Sequence, residues 1–113
     1  MQLSNRFNDE DKGRVWCFNN WCANCESNQG VAGHHIYGSK GKYNNSIANC
    51  IFLCNICHAE ADGQNLHQTG NPLQIKYLGL ALQQIVKAGY KFTENDELFL
   101  ESIEKDVQEV LHS

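Results

Sequence analysis

The stretch His34-His35-Ile36-Tyr37-Gly38, followed after a polar loop by Asn49-Cys50-Ile51-Phe52-Leu53-Cys54-Asn55-Ile56-Cys57-His58, decides how this chain is to be read. Cys54 and Cys57 form a Cys-x-x-Cys pair that answers an earlier one, Cys22 and Cys25, and four thiolates so spaced suit a tetrahedral structural zinc. His34, His35 and His58 are interleaved with these cysteines, although a closed four-thiolate site has no use for imidazoles. The pattern is that of a zinc-stapled scaffold presenting a second, histidine-rich centre.

Working outward, His34 to Tyr37 is short enough for one strand, and strand alternation sends the neighbours His34 and His35 to opposite faces, free for different tasks. Gly38 to Ser46 is a polar loop carrying Lys40 and Lys42. Asn49 to Leu53 is expected to return as a strand, with Ile51 and Leu53 on one face and Cys50 and Phe52 on the other. A short helix from Asn55 then places His58 and Asp62 one turn apart on one face, where both can ligate the same ion. Upstream, Asp9 is positioned to cap a helix to about Asn19 that packs Val15, Trp16 and Phe18 against the zinc module. Cys17 and Cys50 lack Cys-x-x-Cys partners and are read as small core residues.

Downstream, Gly63 to Pro72 is a connection, and His67 within it either reaches the histidine centre or stays in solvent. Leu73 to Gly89 shows Ile75, Leu78, Leu82, Ile85 and Val86 at helical spacing. Thr93 and Asp96 form a capping box for one last helix with a stripe of Phe99, Ile103, Val107, Val110 and Leu111. Such stripes require a covering surface, either the motif region or a second copy of the chain in a homodimer.

The order Cys22-x-x-Cys25, His34-His35-Ile36, Asn49, Leu53-Cys54-x-x-Cys57-His58 resembles the zinc-framed HNH endonucleases, small nucleases common in phages and other mobile elements, over roughly residues 15 to 65. That resemblance implies a small α+β, zinc-stabilised ββα-metal domain, here with two C-terminal helices. The chain is expected to form one domain, 1–113, with the motif core at about 15–65 and a helical extension at 73–111. It implies a metal-dependent hydrolysis of DNA phosphodiester bonds, with His35 as general base, His34 and His58 as ligands of a catalytic ion, and Asn49 tying the hairpin loop and orienting the base. Two positions depart from the family pattern. Gly41-Lys42 replaces a frequent Gly-Gly, and Asp62 stands where a histidine is often found. An oxygen ligand from Asp62 shifts preference toward a hard ion such as Mg²⁺ or Mn²⁺, with Zn²⁺ or Ni²⁺ as further options. Its other reading is a solvated helix end. Lys40 and Lys42 are candidates for phosphate contact or, equally, a solvated loop tip.

A chain of 113 residues is one domain by size and small enough that a bound metal would add materially to folding. The formal net charge is −4, which argues against a strong nonspecific grip on nucleic acid. That charge is uneven: residues 1–58 carry five basic against four acidic side chains, whereas residues 59–113 carry four against nine. DNA contact is therefore expected on the N-terminal half. The first residues lack the apolar core of a signal peptide and no apolar run approaches a membrane span, so the expectation is a cytoplasmic protein, with cysteines that bind metal rather than form disulfides; that the cell is bacterial or phage-infected is what the resemblance implies. The rival readings are a noncatalytic zinc module that binds nucleic acid or protein and, more weakly, a thiol redox protein.

Overall fold

Alternation along one four-residue strand builds two cores at once. In the computed structural model, which describes residues 7, 10, 12, 13, 15, 20–68 and 70–112, strand β1 (Ala32–His35) pairs antiparallel with β2 (Cys50–Leu53), and His34 faces Ile51 while His35 faces Cys50. Ile51 and Leu53 pack with Cys22, Ile36, Ala61, Leu66 and Tyr77. Cys50 and Phe52, on the other face, pack with Phe7, Val15, Ile47 and Ile85. Cys50 is thus a core residue, and the missing side chain of Gly33 makes room for it: a Cβ there would lie 2.9 Å from Cys50 Sγ. Asp9, Trp16, Cys17 and Phe18 lie outside the described residues, and Glu10, Lys12, Gly13 and Val15 are helical.

Beyond that N-terminal segment, four helices among the described residues complete a small α+β architecture: α1 (Asn55–Gly63), α2 (Pro72–Lys87), α3 (Glu94–Ser102) and α4 (Glu104–Leu111). A 3-10 turn, Ile47–Asn49, leads into β2. Both strands differ from the expected bounds, and at the loop end one group accounts for it. Asn49 Oδ1 accepts the Tyr37 N–H at 2.9 Å, which draws Tyr37 off the ladder and places Asn49 in the turn rather than in β2. β1 accordingly ends at His35; it begins at Ala32, two residues before the expected start, where Ala32 pairs with Leu53.

Helix α2 starts one residue earlier than expected because Asn71 caps it and Pro72 occupies the first helical position, where a missing N–H costs nothing. Its buried face is also rotated. Gln74, Tyr77, Leu78, Ala81, Gln84 and Ile85 are buried, whereas Ile75 and Leu82 are half-buried and Val86 is 68% exposed. Gln84 belongs inside because its amide serves backbone that the sheet leaves unpaired: Phe52 N–H donates to Gln84 Oε1, and Gln84 Nε2 donates to the Trp21 carbonyl, both at 3.3 Å.

The single last helix expected from Thr93 onward is two helices broken at Ile103. Ser102 Oγ donates to the Phe99 carbonyl at 2.5 Å, taking an acceptor from the helical ladder. The break lets each piece dock separately. Phe99 of α3 is fully buried with Tyr37 edge-on to its ring, and Val110 of α4 sits over Gly79 of α2. The capping box is present, and buried Asp96 does more than cap: it also accepts from Tyr90 Oη at 2.8 Å and from Ser46 Oγ, joining α3 to the turn before β2. Among the described residues no helix is long and apolar enough to cross a membrane.

Candidate metal centres

The two Cys-x-x-Cys pairs converge. Cys22 and Cys25 lie in a turn closed by Glu26 N–H to Cys22 O at 2.9 Å and Cys22 N–H to Ser27 O at 2.7 Å, and the turn is stitched to the sheet by Ala23 N–H to Phe52 O at 2.9 Å. Cys54 is the N-cap of α1 and Cys57 lies in its first turn. All four sulfurs fall within 4.8 Å of one another, with Cys25 and Cys54 at 3.6 Å. Tetrahedral zinc with Zn–S bonds of about 2.3 Å sets sulfurs about 3.8 Å apart, so the spacing matches one ion.

Polar donors support that cluster. Cys57 N–H donates to Cys54 Sγ at 3.4 Å and holds its thiol down to about 7, while burial pushes Cys57 up to about 12. Asn24 gives its backbone N–H to Cys22 Sγ, as expected of a knuckle turn, and, beyond that expectation, its side-chain amide to Cys57 Sγ, each at 3.4 Å. Its place between the first two cysteines was the available signal. Four thiolates at this range repel one another strongly unless a cation sits among them, and four described cysteines plus Cys50 are free thiols rather than disulfides. These four residues could hold a zinc ion.

A second group gathers beside the first. The donor atoms of His34, His58 and Asp62 also lie within 4.8 Å of one another. β1 supplies His34; α1 supplies the other two at i and i+4. His34 Nε2 is 3.5 Å from Asp62 Oδ1, and His58 Nδ1 is 3.3 Å from Asp62 Oδ2. Ligands bound to one ion at about 2.1 Å stand roughly 3–3.4 Å apart, close to these separations. His34 is only 6% exposed, and its Nε2 is buried with no hydrogen-bond partner. An orphaned buried imidazole nitrogen is costly and points to something it is meant to meet. Burial, with repulsion from His58 behind it, lowers the His34 pKa to about 4, so its lone pair is available at neutral pH.

That shift sets a pH dependence. An unfolded histidine takes up a proton near 6.5, whereas folded His34 resists until about 4, so the unfolded chain binds more protons between those values. The contribution is complete above about 6.5 and is lost as pH falls to about 4, on the order of 3 kcal/mol for so buried a ring. Thermal melts of ion-free protein at this second group should show the decline, and His34→Gln should melt with a flatter profile through the same window.

The structure does not bring His35 into this group. Opposite alternation on β1 puts its ring on the Cys50 face, stacked on Phe7 with centroids 4.0 Å apart. Asn49, fully buried, donates from Nδ2 to Gly38 O at 3.0 Å and Asn44 O at 2.9 Å, fastening the loop after β1. Asn44 adds donations to Tyr37 O and Gly38 O, a role its Asn-Asn loop context hinted at only weakly. His67 reaches the neighbourhood without joining the ligand group: its Nε2 is 2.7 Å from the His35 carbonyl oxygen and its ring centroid 5.3 Å from that of His34. Lys40 and Lys42 are exposed on the loop, the latter 5.4 Å from the Tyr43 ring centroid. No family model, curated protein or solved structure matches the chain.

Proposed function

We propose that this chain is a zinc-framed, HNH-type endonuclease that hydrolyses DNA phosphodiester bonds with the aid of a second divalent ion. The observation that carries the reading is the buried, unpartnered His34 Nε2 set within ligand range of His58 and Asp62, beside a four-cysteine cluster and one residue before an oppositely directed His35. Cys22, Cys25, Cys54 and Cys57 hold the structural zinc, which fixes the start of α1 against the sheet. His34, His58 and Asp62 hold the second ion, which when bound supplies Lewis-acid stabilisation of charge on the phosphate and the leaving oxygen.

The chain's own residues do the rest. His35 takes a proton from water as that water's oxygen bonds to phosphorus and the bond to the leaving oxygen breaks. A displacement at phosphorus is in line, so base and cation belong at opposed ends of it, and adjacent strand residues face opposite ways. Asn49 holds the hairpin loop, and His67, bonded to the His35 carbonyl, holds the backbone that carries the base. Lys40 and Lys42 meet phosphates along the strand.

Asp62 tunes the ion. With a carboxylate in the set, hard ions such as Mn²⁺ and Mg²⁺ are favoured, and Asp62→His should move preference toward Zn²⁺ and Ni²⁺. Calorimetric titration of zinc-loaded protein with each ion tests both the site and its tuning. One exchangeable ion bound per chain in addition to the zinc is expected, and unchanged Mn²⁺ affinity in both His58→Ala and Asp62→Ala would remove the proposed centre.

A further inference from the structure

Beside the candidate centre lies a cleft of about 350 Å³ between the loop after β1, the connection after α1 and the α3–α4 break. Tyr37, His67, Gln74, Glu104, Lys105 and Asp106 line it. Its volume is at the lower end of small-ligand pockets, room for one flat ring system and little else. Its wall is shared with the candidate centre through His67, which bonds the His35 carbonyl and stands 5.3 Å, ring to ring, from His34.

The cleft is polar in a particular way. Tyr37 Oη donates to Asp106 Oδ2 at 2.8 Å, which fixes one wall. Gln74, only 2% exposed, lines the cleft, and its side chain makes no hydrogen bond to any described residue. A nearly buried amide offers one donor and one acceptor side by side and is expensive to leave unpaired. The acids Glu104 and Asp106 disfavour a phosphate inside, whereas Lys105 on the rim suits one just outside. A neutral ring edged with both a donor and an acceptor, joined to a phosphate, meets all of these conditions.

We propose that this cleft binds the base of a nucleotide neighbouring the scissile phosphate, read on its edge by Gln74, with Lys105 on the adjoining phosphate. Such a base must be unstacked, so the substrate class is single-stranded DNA or duplex with a splayed nucleotide. This rests on the nuclease reading for its place in a reaction, but base binding itself does not depend on cleavage.

The test is a nuclear magnetic resonance titration of zinc-loaded, nitrogen-labelled protein with deoxynucleoside monophosphates and, separately, inorganic phosphate, beside cleavage assays on single-stranded and duplex DNA. Nucleotides should shift the Gln74 side-chain amide signals and phosphate alone should not. Gln74→Leu should weaken nucleotide binding about tenfold, and Lys105→Ala, at an exposed position, should weaken nucleotides while sparing the free nucleosides. Gln74 signals unmoved by every nucleotide, or moved equally by phosphate, would overturn the subsite even if DNA is cut. Shifts at Gln74 without cleavage of any substrate would support the subsite and remove the nuclease reading instead.

Discussion

Replacing Cys57 by serine is expected to release the zinc and unfold most of the protein. Structural zinc in small domains contributes roughly 10–16 kcal/mol of apparent binding free energy, as large as the entire stability of a typical domain at 5–15 kcal/mol. Here the consequence is amplified by position. Cys54 caps α1 and Cys57 lies in its first turn, so the cluster joins α1 to the 22–26 turn and, through Ala23 N–H, to β2. Losing it frees the helix that carries His58 and Asp62, and the second centre dissolves with the first. Zinc content by elemental analysis and helicity by circular dichroism should fall together in Cys57→Ser, as they should in wild type stripped with a strong chelator. A zinc-free protein with the wild-type melting temperature would refute the structural role.

On the proposed nuclease reading, replacing His35 and His58 by alanine should lower activity in two distinguishable ways. If His35 is the proposed proton acceptor, His35→Ala removes it and leaves the proposed ion's ligands in place, so turnover should drop by roughly 10²–10⁴-fold with divalent-ion affinity nearly kept. His58→Ala removes a ligand, so ion affinity should fall and excess Mn²⁺ should restore part of the rate. Zinc should remain in both, because neither side chain belongs to the cysteine cluster. Calorimetry beside single-turnover cleavage separates them. His35→Ala losing the ion while His58→Ala keeps it would show the assigned roles to be exchanged.

Much of this architecture was legible because it depends on short-range spacing. Two Cys-x-x-Cys pairs, His58 and Asp62 at i and i+4, the alternation of Cys50 to Leu53 and the Thr93–Asp96 capping box are local patterns whose geometry follows from one turn or one strand. The departures arise where a distant polar group wins. Asn49 takes the Tyr37 amide, so that β1 ends at His35 and β2 starts at Cys50, Gln84 enters the core to serve Phe52 and Trp21, and Ser102 turns back on Phe99 where the last helix breaks. Periodicity counts apolar residues and cannot see such partners. It therefore placed Val86 on the buried face of α2 and ran one helix through Ile103. The convergence of His34 with His58 and Asp62 depended on sheet register, and the clasp of His67 on the His35 carbonyl on the fold of a loop.

In the proposed mechanism, ion and base act together on a phosphodiester. The most direct measurement is conversion of supercoiled plasmid to nicked circles by zinc-loaded protein with and without added Mn²⁺ or Mg²⁺, with His35→Ala prepared identically. Nicking by the wild type that requires the added ion, and falls at least a hundredfold in His35→Ala, is the predicted result. Plasmid left intact by the wild type under every ion, or cut equally fast by His35→Ala, would contradict it.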